Sequence, residues 1–580
     1  RNLRLNNKKR YMASAGLSYQ ILDWLNVAGR VRIDNTHSEY EGKLYASSSN
    51  TLTDGSTQGH YTVNNGQYSQ TYADVLVNIN KRIQDFTIVA NIGASYSGVT
   101  SKELGYAGPI RETGIPNLFN VYDLDNAKKR ATQVGWREAT ESVFASAEVG
   151  WKSMLYLTVT GRNDWASQLT HSPQASFFYP SVGLSAVITE MLKLPDWVDY
   201  LKVRGSFSSV GNPYPRFLTY PTYSYDANKQ DWKSQTNYPI GKLYPERTDS
   251  WEVGLDATLF KDFKLSGSFY YANTYNQTFD PRLPVSSGYD KLYVQTGYVR
   301  NYGFEAMLSY GHRWGDFGWD SSFTFSANKN EIVELVKDYV HPETGKTYNV
   351  DKLELKTDEG RGFGKAKFIL KEGGTLGDLY THADLKRDIN GNILIDDSGN
   401  VTAIDNAGDI KLGSVLPKAN LAWNNSFSYK GINAGFLLTA RLGGIVYSAT
   451  QAYLDLYGVS ETSAAARDAG GVWINGRSHV NPQSFYEVVA SQSGLPTYYT
   501  YSATNLRLQE AHIGYTVPRR WLGNVCDINV SLVGRNLWMI YCKAPFDPEA
   551  VATTNNYYQG IDYFMMPSTR NIGFNIKINF

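Results

Sequence analysis

The residues best suited to bind something in this sequence are aromatic. Trp136, Tyr223, Tyr225, Trp232, Tyr289, Tyr293, Trp473, Tyr498, Tyr499, Tyr557 and Tyr558 fall in long stretches between periodic segments. Aromatic faces stack on sugar rings and on peptide side chains. Trp136, Tyr223, Trp232, Tyr289, Trp473, Tyr498, Tyr499, Tyr557 and Tyr558 are therefore the expected substrate contacts. The competing role for each is packing between loops or anchoring at a membrane interface. Trp24 and Trp151, next to short turns, read as interfacial anchors.

Ion-binding chemistry has one candidate. Asp388, Asn390, Asn392 and Asp396 place oxygen ligands at positions 1, 3, 5 and 9 of a calcium loop. Position 6 is Ile393 instead of Gly, and position 12 is Gly399 instead of Glu. An Asn-Gly turn between short strands explains the same letters. The eight histidines show no metal-ligand spacing. Gly360-Arg361-Gly362-Phe363-Gly364 is glycine-rich but lacks the strand-turn-helix context of a phosphate loop. No constellation supports catalysis, so neither an enzyme nor a cofactor is expected.

The elements that must position these residues follow from composition and period. The chain has 580 residues, with 56 Lys plus Arg against 55 Asp plus Glu and a net charge of +1. That balance argues against a nucleic-acid partner. With 43 Tyr, 24 Phe and 13 Trp it is too aromatic to be disordered. No window approaches the ~18 apolar residues of a membrane helix. Strands that cross a bilayer stay open as an alternative, because they alternate and look soluble on average. Two cysteines, Cys526 and Cys542, would lie up to roughly 50 Å apart on one extended strand, so no disulfide is expected.

Period two dominates. Ile572, Phe574, Ile576, Ile578 and Phe580 alternate with Asn571, Gly573, Asn575, Lys577 and Asn579. Helical period would scatter these sets, whereas a strand separates them. About 17 such stretches occur, many of them longer than soluble strands. Short turns alternate with long connections at about 41–69, 99–138, 211–247, 277–296, 331–417, 448–502 and 540–567. Long connections gathered at one end are what a transmembrane antiparallel β-barrel with periplasmic turns and extracellular loops produces. The all-β fold places the C-terminus at the periplasmic rim, where Phe580 reads as an outer-membrane assembly signal. Bacterial barrels have even strand counts. Seventeen strands and a start without Met therefore lead us to expect that strands are missing upstream.

Several segments carry a family resemblance in order. Leu201-Lys202-Val203-Arg204-Gly205-Ser206-Phe207 with Gly211-Asn212 resembles the LKLRASYGxxGN strand and loop of the SusC/RagA family of TonB-linked outer-membrane transporters. Arg162-Asn163-Asp164-Trp165-Ala166-Ser167, Phe177-Phe178-Tyr179-Pro180-Ser181, and Glu246 through Asp256 are similar to further motifs of that family. So are Asn301-Tyr302-Gly303-Phe304-Glu305, Leu506-Arg507-Leu508 with Gly514-Tyr515-Thr516-Val517-Pro518, and Gly534-Arg535-Asn536-Leu537-Trp538. The resemblance implies the C-terminal part of a barrel of about 22 strands plugged by an N-terminal domain. Both the plug and the first strands would lie upstream. It implies active import of oligosaccharides or oligopeptides, energised through the TonB complex, with a SusD-like lipoprotein as partner and outer-membrane lipid around the wall. The alternatives are a passive porin-like channel and a soluble surface glycan-binding β-protein.

Overall fold

The structure is a computed structural model. It describes residues 2–579 except 219–222, 227–230, 234–236, 239–242, 280–285, 287, 290, 296, 341–346, 356–364, 477 and 553–558. Seventeen long strands make up its main antiparallel sheet. Every strand expected from period two is among them, and the chain divides into two compact units.

The first unit comprises Arg1–Leu184 and Ser208–Glu246. Its ladder runs through β1 (Leu3–Leu22), β2 (Leu25–Tyr45), β3 (Gly59–Ile83), β4 (Phe86–Pro109), β5 (Arg130–Trp151) and β6 (Leu155–Ala166), each paired with the next. Register separates two faces across six strands. Tyr19, Val27, Val77, Ile92, Ala145 and Gly161 stand opposite one another in one row. Gly16, Arg30, Asp74, Ser95, Ser142 and Asp164 form a row on the other face. A slip of one residue would exchange the two faces, so the alternation itself fixes the register.

The second unit comprises Ser185–Phe207 and Arg247–Phe580. It contains β9 (Glu246–Leu259, from Arg247), β10 (Phe263–Tyr275), β11 (Tyr298–Trp314), β12 (Phe317–Glu334), β13 (Ala419–Tyr429), β14 (Ile432–Leu442), β15 (Asn505–Val517), β16 (Asp527–Cys542) and β17 (Asn571–Asn579). Neighbours in this series pair antiparallel. The same two-faced pattern holds. Leu265, Leu308, Phe323, Trp423 and Leu438 form an apolar row, and Ser268, Glu305, Ser326, Asn420 and Arg441 a polar one. The strands β7 (Ser176–Val187) and β8 (Val198–Asn212) complete the seventeen.

The apolar face is bare. Ile572, Phe574, Ile576 and Ile578 are all exposed, Phe574 by 78%. In water such a face would aggregate; against lipid tails it is solvated, and the strand backbone is satisfied by its ladder. Aromatic residues gather at the short turns. Lys81 lies over Trp24 at 4.5 Å and Lys152 over Trp151 at 5.2 Å, and Trp197 stacks on Phe260. One of the two-residue turns, Lys430-Gly431, has φ of +45° and +91°, as such a hairpin demands. Cys526 and Cys542 are both free thiols.

Two connections are shorter than expected. β2 runs on to Tyr45 and β3 begins at Gly59, so 41–69 shrinks to 46–58. β4 reaches Pro109 and β5 starts at Arg130, so 99–138 shrinks to 110–129. These strand ends carry polar side chains on both faces and lack the apolar alternation that marks the rest.

Candidate functional site

In the second unit, the connections 335–418, 443–504 and 543–570 fold together. Phe368, Leu370 and Leu379 from the first, Tyr447, Phe485 and Val489 from the second, and Ile561 from the third share one buried core. Segments Lys352–Glu354, Ala366–Lys371, Asp378–Thr381 and Ile410–Ser414 form a small sheet there. Three helices, Ala449–Leu456, Glu461–Asp468 and Pro482–Val489, stand beside it. Each begins where a side chain accepts from an otherwise orphaned amide: Ser448 from Gln451, Ser460 from Ser463, and Asn481 from Gln483 and Ser484.

Polar stitches join the connections. The Asn475 side chain both donates to the Ile393 carbonyl (2.9 Å) and accepts from its amide (3.0 Å). Thr497 donates to Asp384 at 3.1 Å, and Ser448 to Asp562 at 2.5 Å. Within the first connection, Asp409 collects Lys352 and Lys371 at 2.7 Å each, with His382 Nε2 at 2.9 Å. Hydrogen bonds from those two lysines hold its carboxyl well below the usual carboxylate range. The third connection is clamped to β15. Arg507 Nη2 lies 2.8 Å from Asp547 and 3.2 Å from Glu549, with the arginine and Asp547 side chains nearly fully buried. Neither cluster was legible in the sequence, since both join residues distant in the chain.

The expected contact residues separate on this geometry. Tyr499 is buried, with 2% exposure, and burial pushes its hydroxyl pKa up. Its ring belongs to the interior of the loop core and presents no open face, which corrects its expected role as a substrate contact. Tyr498 packs edge-on against Phe485 at 6.1 Å. Trp473 is 62% exposed and meets its cross-strand partner His479 edge-on at 3.7 Å. Tyr289 and Tyr293 are half-buried.

In the first unit, Trp136 sits on β5 with the Arg216 guanidinium 3.6 Å over its ring and Tyr68 edge-on. One indole face is thereby already occupied by the protein's own cation. Tyr225 and Trp232 pair across a hairpin with ring centroids 5.2 Å apart, and Trp232 is 65% exposed. Tyr223 is exposed beside them. Tyr557, Tyr558, Phe580 and Gly360–Gly364 lie outside the described residues.

The calcium candidate is two turns in succession. Asp388 Oδ1 accepts from the amides of Asn390 (2.8 Å) and Asn392 (2.9 Å). Asp396 Oδ1 accepts from those of Ser398 (3.0 Å) and Asn400 (2.8 Å). Each carboxylate thus closes its own hairpin tip, and Asn392 bonds hold the Asp388 pKa down. Among the described residues no group of three or more His, Cys, Asp or Glu side chains is arranged to hold a metal.

A cavity of about 820 Å³ opens on the polar face of the second unit. Glu305, Arg441, Asn505, Gln509 and Glu549 line it together with Ser and Thr hydroxyls. Arg441 donates to the Val415 carbonyl at 2.7 Å, while its Nε has no partner among the described residues. The arrangement can hold a polar ligand with both donors and acceptors.

Residues 1–537 match the family described as TonB dependent receptor-like, beta-barrel. TonB-dependent receptor P3 of Formosa agariphila is 24% identical over 524 residues, covering 84% of this chain and 50% of its own. TonB-dependent receptor SusC of Bacteroides thetaiotaomicron is 24% identical over 433 residues, covering 68% and 40%. The chain spans about half the length of the curated relatives it matches. The solved RagAB peptide transporter is similar in fold, with a TM-score of 0.74 at 17% identity over 100% of this chain and 62% of that one.

Proposed function

The chain belongs to the TonB dependent receptor-like β-barrel family, and from that premise we propose that it forms wall and outer connections of an active outer-membrane importer. Its cargo is oligosaccharides or oligopeptides, its energy comes through TonB, and a SusD-like surface lipoprotein works with it. The long connections face the cell exterior and the short turns the periplasm.

One observation carries this reading over a passive channel. The connections of the second unit build a common core with capped helices and their own sheet, a folded body suited to gripping a large ligand. A simple pore has no need of one. The polar cavity beneath offers donors and acceptors on the face that lines a barrel lumen. The expected aromatic contacts that keep open faces are Tyr223, Trp232 and Trp473.

The test is uptake of fluorescent oligosaccharides and oligopeptides by cells carrying or lacking this protein, each with and without a functional TonB. Uptake should require both. Uptake that survives loss of TonB would refute active import and support the porin reading. Affinity purification from the outer membrane should also recover a lipoprotein in stoichiometric amount.

A further inference from the structure

The polar face of the first unit carries a column of cations that the import reading leaves unused. Arg4, Lys8 and Arg10 of β1 stand opposite Gly42, Ser38 and Thr36 of β2. In the same ladder Gly16 and Ser14 stand opposite Arg30 and Arg32. Opposed residues of an antiparallel pair share a face, so all five cations lie on one side of two adjacent strands. All five are exposed. Same-face positions recur about every 6.6 Å, so the column climbs through Arg30, Arg32, Arg10, Lys8 and Arg4 over roughly 40 Å.

Two carboxylates answer them, and both are buried. Asp34 accepts from Arg10 Nε at 2.9 Å and also from its Nη2. Asp74 accepts from Arg30 Nε at 3.0 Å. These bonds fix the two guanidiniums while Arg10 Nη1 and both Nη atoms of Arg30 have no acceptor among the described residues. Arg4, Lys8 and Arg32 form no ion pair among the described residues, and Arg32 lies 5.6 Å over the Tyr72 ring. The next carboxylate at the height of Lys8 is Glu103, reached through Ser38 and Gly66. That is three strands away, roughly 14 Å. Held guanidiniums with free N–H groups suit carboxylate and sulfate oxygens. Between them the face offers hydroxyls, from Ser14, Thr36, Ser38 and Tyr40.

We infer that this column is a binding track for a polyanionic glycan, one whose sugar units carry carboxylate or sulfate groups. The hydroxyls spaced between the cations favour a sugar backbone, whose own hydroxyls can donate and accept all along the track, over an acidic peptide. The inference rests on the import reading and narrows its substrate class.

The test uses the full-length protein purified from the outer membrane, and as probes an oligogalacturonate, its neutral methyl ester and an oligoglutamate of equal charge. Arg10 and Arg30 stay in place because they hold buried carboxylates. The variant is Lys8→Gln with Arg32→Gln, which breaks no ion pair. The acid form should bind at least about tenfold tighter than its ester, an advantage that fades with salt and falls about tenfold or more in the variant. Equal binding of acid and ester, no binding of either, or an unchanged variant overturns the inference. A variant with a lower melting temperature and unchanged acid binding would assign the column to an acidic segment of the protein itself, and also overturns it. Oligoglutamate binding as tight as the glycan would transfer the track to peptides. Tight binding without TonB-dependent uptake would refute import and leave the track standing.

Discussion

Replacing Arg507 with Gln should release the connection 543–570 from the strand beneath it. Arg507 and Asp547 pair with almost no exposure on either side chain, and Asn505 and Asn536 supply further bonds to the same guanidinium. Removing one partner of a buried pair leaves the other charge unpaired, which costs about 3–5 kcal/mol. Glu549 remains partly exposed and can turn to water, so the lower end, about 3 kcal/mol, is expected. That corresponds to a roughly hundredfold larger opening constant for the segment. Hydrogen exchange read by mass spectrometry on residues 543–552 should show that loss, while exchange in β16 stays unchanged. Arg507→Gln combined with Asp547→Asn should recover part of it, because the stranded charge is gone. Unchanged exchange in the single variant would refute the clamp, and no recovery in the double variant would refute the buried charge as its cause. The pH dependence has a definite sign. Burial raises the Asp547 pKa, but the bonds from Arg507 and the Glu549 amide outweigh it and hold the carboxyl below its ordinary value. A folded-state pKa below the unfolded one stabilises above the unfolded value and loses that contribution as pH falls through the folded one. The clamp therefore holds at neutral pH and weakens only below about pH 4.

Tyr499→Ala should cost about 3–5 kcal/mol of local stability and raise exchange in both 335–418 and 443–504, because one core serves both; a rise confined to 443–504 would argue against a shared core. Deleting 448–502 should leave a heat-modifiable barrel on gel electrophoresis but make 366–414 sensitive to protease, and protease resistance there would show the first connection folding alone. Trp232→Ala should weaken ligand binding without lowering the melting temperature, since the ring is mostly exposed; unchanged binding would remove it from the contact set. Phe580→Ser should lower the amount of protein assembled in the outer membrane, measured against total expressed protein, and normal assembly would count against the signal.

All seventeen strands could be read from the sequence because each must present one face to lipid and one to a polar space, and that asymmetry is written as alternation. Where the asymmetry stops, so did the reading. Residues 59–69 and 99–109 continue β3 and β4 beyond the apolar band with polar groups on both sides, and no period marks them. The loop core was hidden for another reason. Its strands are two to six residues long and its three helices eight each, too short for either period to emerge. Tyr498 and Tyr499 look alike as letters, yet only the packing of Phe485, Val489 and Ala452 around them decides which is interior. Arg507 could be recognised as part of a motif, but its partners Asp547 and Glu549 lie 40 or more residues on, and no local pattern ties them together.

The common core beneath the three connections has a bearing on how such proteins could be re-engineered. Transplanting one connection from a relative would leave half of a mould without its casting: replacing 443–504 would strip Tyr447 from its place beside Ile561, and would leave Ile393 and Asp384 without the Asn475 and Thr497 side chains that bond them. Phe279 and Val294 of the connection 276–297 enter the same core, so a change of specificity by grafting should succeed when all four are exchanged as a set, and hybrid chains that mix their origins should fail at the cell surface before their ligand preference can be tested.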